Sequence, residues 1–267
     1  AFVALEHEWN EIASAVRSKV AAAKEFTDAH FAPWSQEQHY APPEFSIDAA
    51  KFGECRVQIP SPLPDGRETV EFTAPLTLVL PAEASVFIER DEAGRPEAIR
   101  CVNNIVYRVL QTVPPGKAAF TLIDPVHLGQ SFSSIMHLAD FEENIVHRRI
   151  WTEPVEIEER LLELNAHMEK VIQMYLRNEF RDIVEYNKEA GRIAEKYHFL
   201  VLADFPAHFT ETAMRRLLKI AASGARCGVY MLIHNDKRLG LPPGFDAKDL
   251  IQSSVYIQAT RQGIVLP

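Results

Sequence analysis

Asp124 and Asp204 each stand directly after an apolar run, residues 118–123 and 198–203. Runs of that kind read as buried strands of a parallel sheet. A carboxylate at the carboxyl end of such a strand lies where open α/β sheets bind their ligands. Asp204 there has the chemistry to hold a divalent cation. Asp124 has two readings: it faces a ligand at the sheet edge, or it caps the turn that starts at Pro125.

Residues 89–99 form a third place where chemistry is possible. They lie between a strand signal at 85–89 and a helix signal at 98–111. A phosphate-binding loop occupies such a junction and needs G-x-x-x-x-G-K-[ST]. Its glycines let backbone N–H groups wrap the phosphates, its Lys balances their charge, and its hydroxyl holds Mg²⁺. The segment here has one glycine, Gly94, and neither Lys nor Ser nor Thr. Asp91, Glu92 and Glu97 repel a triphosphate, and Pro96 removes an N–H from the cradle. Arg90 and Arg95 are the positive charges left to it. Two backbone paths stay open: a loop around an anion, or a plain hairpin.

Other candidates carry less. Gly116-Lys117 precedes a strand rather than a helix and reads as a surface turn. His127, His137 and His147 recur every ten residues and share no helical face, so they make no metal site. Cys55, Cys101 and Cys227 are too scattered for a zinc site or a disulfide framework and read as reduced thiols. Glu156, Glu158 and Glu159 suit the positive end of a helix dipole. Arg226 reads as an interface arginine or as a solvated turn residue. No residue is assigned as catalytic, and no metal or cofactor is expected.

The elements that must position these residues follow from pattern. Residues 1–30 read as one helix, with Phe2, Leu5, Trp9, Ile12, Val16, Ala23 and Phe26 at a period near 3.5. That is a coiled-coil seam or the apolar stripe of a single amphipathic helix. Seven prolines between 33 and 75 make the next stretch extended and loop-like, with a short strand near 55–59. Beyond Pro75, strands at 76–80, 85–89, 118–123, 198–203, 228–233 and 254–258 alternate with helices at 98–111, 155–180 and 210–223. The last of these runs into Gly224 as its stop. The alternation implies a mostly parallel sheet covered on both faces. The division expected is a helical stem at 1–38, a Pro-rich linker at 39–74 and an α/β domain at 75–267.

Composition sets limits. A net charge of −9 argues against a surface built to coat nucleic acid. No apolar run nears the roughly 18 residues a membrane span needs, and no signal peptide is visible. The chain reads as an internal piece of a longer cytoplasmic protein.

Several stretches, in order, resemble the motor domain of the FtsK/SpoIIIE family of DNA translocases. They are Cys101-Val102-Asn103-Asn104-Ile105-Val106, Pro114-Pro115-Gly116-Lys117, and Phe120-Thr121-Leu122-Ile123-Asp124-Pro125. Met168-Glu169 and Tyr186-Asn187 follow, then the strand ending at Asp204. Arg216-Leu217-Leu218 and Gly224-Ala225-Arg226-Cys227-Gly228 lead into the apolar strand to Ile233. The resemblance implies a RecA-like P-loop-NTPase fold. It places Arg90, Asp91, Gly94, Arg95 and Pro96 at the Walker A position and Asp204-Phe205 at the Walker B position. The family has Asp-Glu there, so Phe205 replaces the carboxylate that polarises water. The family's Gln-Arg-Pro segment is replaced by His234-Asn235-Asp236-Lys237-Arg238, and Arg226 matches the family's arginine.

These departures imply an ATPase-fold domain without a functional P-loop, structural or regulatory within a larger translocase-type protein. The alternatives are an active DNA translocase with an atypical loop and a non-ATPase partner- or peptide-binding domain. Expected partners are other domains of the same protein and further copies, through the stem or a ring. DNA, ATP and Mg²⁺ enter by the resemblance only.

Overall fold

The computed structural model describes residues 2–31, 48–60, 69–147, 149–261 and 263–266. Residues 39–47 and 61–68 of the Pro-rich linker, with the Pro-Asp-Gly turn signal at 64–66, lie outside these residues. The chain divides into two compact units.

The first unit holds helix α1 (Phe2–His30) and a two-stranded sheet of β1 (Ala49–Pro60) and β2 (Thr69–Val79). On α1, Ala13 and Thr27 are buried and Trp9, Val16 and Val20 partly so. The seam residues Leu5, Ile12 and Phe26 are exposed by 39%, 51% and 47%. The buried face is thus turned away from the 3.5-period seam, keeping only Trp9 and Val16 of it among the described side chains. Lys51 of β1 ties strand to helix, with Nζ 2.9 Å from Asp28 and 2.7 Å from Glu54. β1 is much longer than the short strand expected near 55–59. Its residues alternate partly buried and exposed to Pro60, the period of a strand with one wet face. Residues 76–79, expected as a strand of the main sheet, belong to β2.

The second unit is an α/β layer structure. Its elements are β3 (Val86–Arg90), α2 (Arg95–Thr112), β4 (Ala118–Ile123), the short helices α3 (Ser133–Met136) and α4 (Glu143–Val146), and β5 (Ile150–Trp151). Then come α5 (Pro154–Lys170), α6 (Ile183–Ala190), β6 (Tyr197–Phe205), α7 (Glu211–Cys227), β7 (Val229–Asp236), α8 (Lys248–Ile251), β8 (Val255–Thr260) and β9 (Gly263–Val265). The seven strands lie in the order β5-β4-β6-β7-β3-β8-β9, parallel except for β9. Every residue of β4 and β7 is buried. Successive side chains point to opposite faces, so both faces of these strands are covered. That is why residues 118–123 and 229–233 read as near-continuous apolar runs rather than alternating ones.

The order places a crevice. β3 sits between β7 and β8, while the next strand in sequence, β4, lies beyond β6. Such a reversal opens the sheet at the carboxyl end of β3. Residues 84–98 make no hairpin: β3 pairs in parallel on both sides, and the chain turns at 91–94 into α2. Gly94 is needed there for space. A Cβ on it would lie 2.0 Å from the Ala259 carbonyl oxygen of β8.

Two helix ends differ from expectation. The helix expected at 155–180 is α-helical only to Lys170. It continues as one wide π-turn, Val171–Leu176, and ends where Arg177 and Asn178 take φ of 43° and 62°. α7 passes through Gly224 and stops at Gly228, with φ of 74°. Gly224 serves packing instead, since a Cβ there would lie 2.4 Å from the Val229 carbonyl oxygen.

Candidate functional site

Four strand ends meet at the carboxyl edge: β3 brings Arg90, β4 leads to Asp124, β6 brings Asp204, and β7 brings His234, Asn235 and Asp236. α2 starts at the same edge and brings Arg95.

Arg95 is the hub. Its Nε donates to Asp204 Oδ1 at 3.0 Å and Oδ2 at 3.2 Å. Its Nη2 donates to Asp204 Oδ2 at 2.7 Å and to Ser131 Oγ at 2.8 Å. The same Nη2 lies 2.8 Å from His127 Nδ1, which itself lies 3.2 Å from Asp204 Oδ2. One nitrogen cannot serve both: His127 accepts from Arg95 as a neutral ring or donates to Asp204 with Nδ1 protonated.

Asp204 is 2% exposed and sits at a break in the strand register between Leu202 and Phe205, with φ of 52°. Its backbone N–H donates to His234 Nδ1 at 3.0 Å. The proton of a neutral His234 therefore sits on Nε2, which is buried without a partner. Burial, together with the Arg90 and Arg95 charges, pushes His234 down to about 4. Burial alone would raise the Asp204 carboxyl. The Arg95 hydrogen bonds and the charges of His234, Arg95 and His127 outweigh it and hold the group below its ordinary value.

A second pairing lies beside the first. Arg90, 3% exposed, pairs with Asp236 and lies 3.8 Å from Asp204. Arg238 clamps Asp236 from the other side, at 3.0 Å from Oδ1 and 2.9 Å from Oδ2. Arg238 chiefly, and Arg90 in support, hold Asp236 below the usual carboxylate range.

The remaining predicted residues fall in different places. Asp124 is fully buried, and its carboxylate accepts from the backbone N–H of His127 at 3.3 Å and of Ser131 at 3.0 Å. It thereby holds the turn after β4. Asp91 accepts from Ala93 N at 3.0 Å and closes its own loop. Pro96 lies in the first turn of α2. Phe205 is fully buried, edge-on to Phe209 at 4.9 Å. Arg226 is not at this edge. It ends α7, where its Nε donates to the Arg181 carbonyl at 2.9 Å. Sequence reasoning overlooked Ser131, gave His127 no role at this edge, and treated 234–238 only as a replaced segment. Its one usable signal was polar residues closing an apolar strand.

Asp124, His127 and Asp204 place ligand atoms within 4.8 Å of one another. Both carboxylates are already engaged, however, and a cation there would face Arg95.

Comparison with solved structures places the fold. EssC (ATPases 2 and 3) from Geobacillus thermodenitrificans superposes with a TM-score of 0.53 at 13% identity, over 84% of this chain and 39% of that one. The cytoplasmic domain of the Thermomonospora curvata Type VII secretion ATPase EccC gives 0.52 at 15% identity, over 77% and 23%. The cytoplasmic domain of EssC gives 0.52 at 12%, over 79% and 37%. The fold is that of these ATPase domains, as the FtsK/SpoIIIE resemblance leads one to expect. The chain spans less than two fifths of each. No protein-family model and no curated protein matches the sequence. Among the described residues, no helix is long and apolar enough to cross a membrane.

Proposed function

We propose that this chain is a non-hydrolysing ATPase-fold module with a structural or regulatory role inside a larger cytoplasmic protein. The observation that carries this is the Arg95–Asp204 pair. In a phosphate-binding site the start of the helix after the loop is left free for the anion, and the strand-end Asp for its Mg²⁺. Here a guanidinium from that helix start occupies that Asp through three contacts.

Three further features support the reading. A triphosphate would have to displace a partly buried, hydrogen-bonded ion pair. It would also approach Asp91, Glu92 and Glu97 at a helix start that Pro96 has deprived of an N–H. Phe205 stands where a water-polarising carboxylate is needed and has no proton-accepting group. As the chain matches only part of each neighbouring structure, its partners are further domains of the same protein, or further copies.

The competing reading is an active translocase with an arginine-based loop. It draws on the excess of guanidinium groups over carboxylates among Arg90, Arg95, Arg238, Asp204 and Asp236. Calorimetric titration with Mg-ATP separates the two. The proposal expects no saturable binding; micromolar binding ends it. Turnover stimulated by double-stranded DNA and abolished in Arg95→Ala establishes the competitor.

A further inference from the structure

We propose a second site at the opposite edge of the sheet: His167, Glu195 and His198 form a three-ligand site for a zinc-like divalent cation. His198 is the second residue of β6, and Asp204 lies near the other end of that strand. At about 3.3 Å per residue the two edges are about 20 Å apart, so this site is separate from the arginine network.

The three residues come from α5, from the approach to β6, and from β6 itself, and their ligand atoms lie within 4.8 Å of one another. The His167 and His198 rings lie with centroids 4.3 Å apart and planes tilted by 47°. His167 Nε2 is buried and has no hydrogen-bond partner. A buried imidazole nitrogen without a partner costs free energy that a metal–nitrogen bond would recover.

Charge and donor type agree. Burial and the nearby His167 push His198 down to about 3, and burial lowers His167 as well. Glu195 supplies a carboxylate oxygen, and its Oε1 accepts from the Lys196 backbone N–H at 3.2 Å. The neighbouring cations are engaged: Lys170 lies over the Tyr175 ring at 5.4 Å, and Lys196 lies 3.9 Å from Glu142. His147 adds a further imidazole within electrostatic reach of His198. Two imidazoles and one carboxylate are a zinc or cobalt donor set with a coordination position left open. An ion there would link α5 to β6 and stabilise the fold by binding the native state alone.

The test is titration of the whole chain with Co²⁺, followed by visible absorption, and with Zn²⁺, followed by calorimetry. One equivalent should bind, with the intense visible bands of a low-coordinate cobalt site, and Zn²⁺ should displace it. His198→Ala, His167→Ala and Glu195→Gln should each weaken binding by more than the roughly 10–100-fold lost when only an outer hydrogen-bond partner of a ligand is removed. Circular dichroism checks that each variant is folded. Glu195→Gln, on a partly exposed residue, keeps the test open if a histidine variant unfolds. Zn²⁺ should also raise the thermal midpoint of the unaltered chain. Absence of saturable binding overturns the proposal, as does binding that survives all three substitutions. Loss in His127→Ala with retention in His167→Ala places the ion at the other edge and overturns it too.

Discussion

Arg95 and Asp204 are 109 positions apart in sequence and form a three-contact pair, with Nη2 2.7 Å from Oδ2. The pair joins the start of α2 to the end of β6 across the crevice that the strand order creates. Its disposition governs how this edge responds to mutation, acid and ligand.

Arg95→Ala strips the main partner from a carboxylate that is 2% exposed. Breaking a buried pair from one side costs about 3–5 kcal/mol, because the remaining charge stays buried. Urea unfolding should show a loss near the lower figure, since Arg90 still lies 3.8 Å away. Arg95→Lys should recover only part, because an ammonium cannot make the forked contact.

Acid should weaken the domain in two stages. His234 titrates at about 4 in the fold against 6.5 ordinarily. Between those values the unfolded chain binds more protons, so stability falls as pH drops, by up to about 1.4 kcal/mol per pH unit for one group. Asp204 and Asp236 have depressed values. Their contribution is present above the ordinary carboxylate value and is lost as pH falls through the folded one. Unfolding midpoints measured from pH 8 to 3 should therefore begin to decline near 6.5 and steepen below about 4. His147, His167 and His198 are lowered by burial too, so His234→Gln should remove only one group's share of the upper stage and leave the lower.

Phe205→Glu puts back the Asp-Glu pair expected of an active strand end. Phe205 is fully buried against Phe209, so the carboxylate enters an apolar space. The variant should gain no ATP turnover and should lose about 3–5 kcal/mol, comparable to truncating a buried Phe. Hydrolysis appearing in a folded Phe205→Glu chain would contradict the proposed function.

Gly94→Ala should destabilise by about 1–3 kcal/mol, because the added carbon meets the Ala259 carbonyl at 2.0 Å and backbone must shift. Gly240→Ala is the control. That glycine is exposed and nothing lies within 4 Å of the added carbon, so its thermal midpoint should stay within a degree or two.

Apolar runs and helix periods are local properties, and they were readable. β4 starts and stops where the sequence predicts, β6, β7 and β8 lie within a few residues of it, and α1 spans the length expected of the first helix. The same locality explains the misreadings. Gly224 looks like a helix stop, but a glycine also permits close approach, and only the neighbouring Val229 carbonyl shows which role it has. The seam of α1 did not foretell that Ala13 and Thr27 face inward, because the packing surface that selects a face is remote in sequence.

The site divides in the same way. Asp124, Asp204, Arg90 and Arg95 were identifiable from their places at the ends of apolar runs and at a strand–helix junction. Their pairing was not. Arg90 reaches Asp236 over 146 positions, and Arg95 reaches Asp204 over 109. His167 meets Glu195 and His198 only because α5 packs beside the start of β6. By itself the sequence determined the central strands, the main helices and which charges stand at their ends, since each depends on side chains a few residues apart. Which charges neutralise one another was decided by the order β4-β6-β7-β3. Coulomb attraction and hydrogen bonding act over a few ångströms of space, and strand order sets that distance where separation in sequence does not.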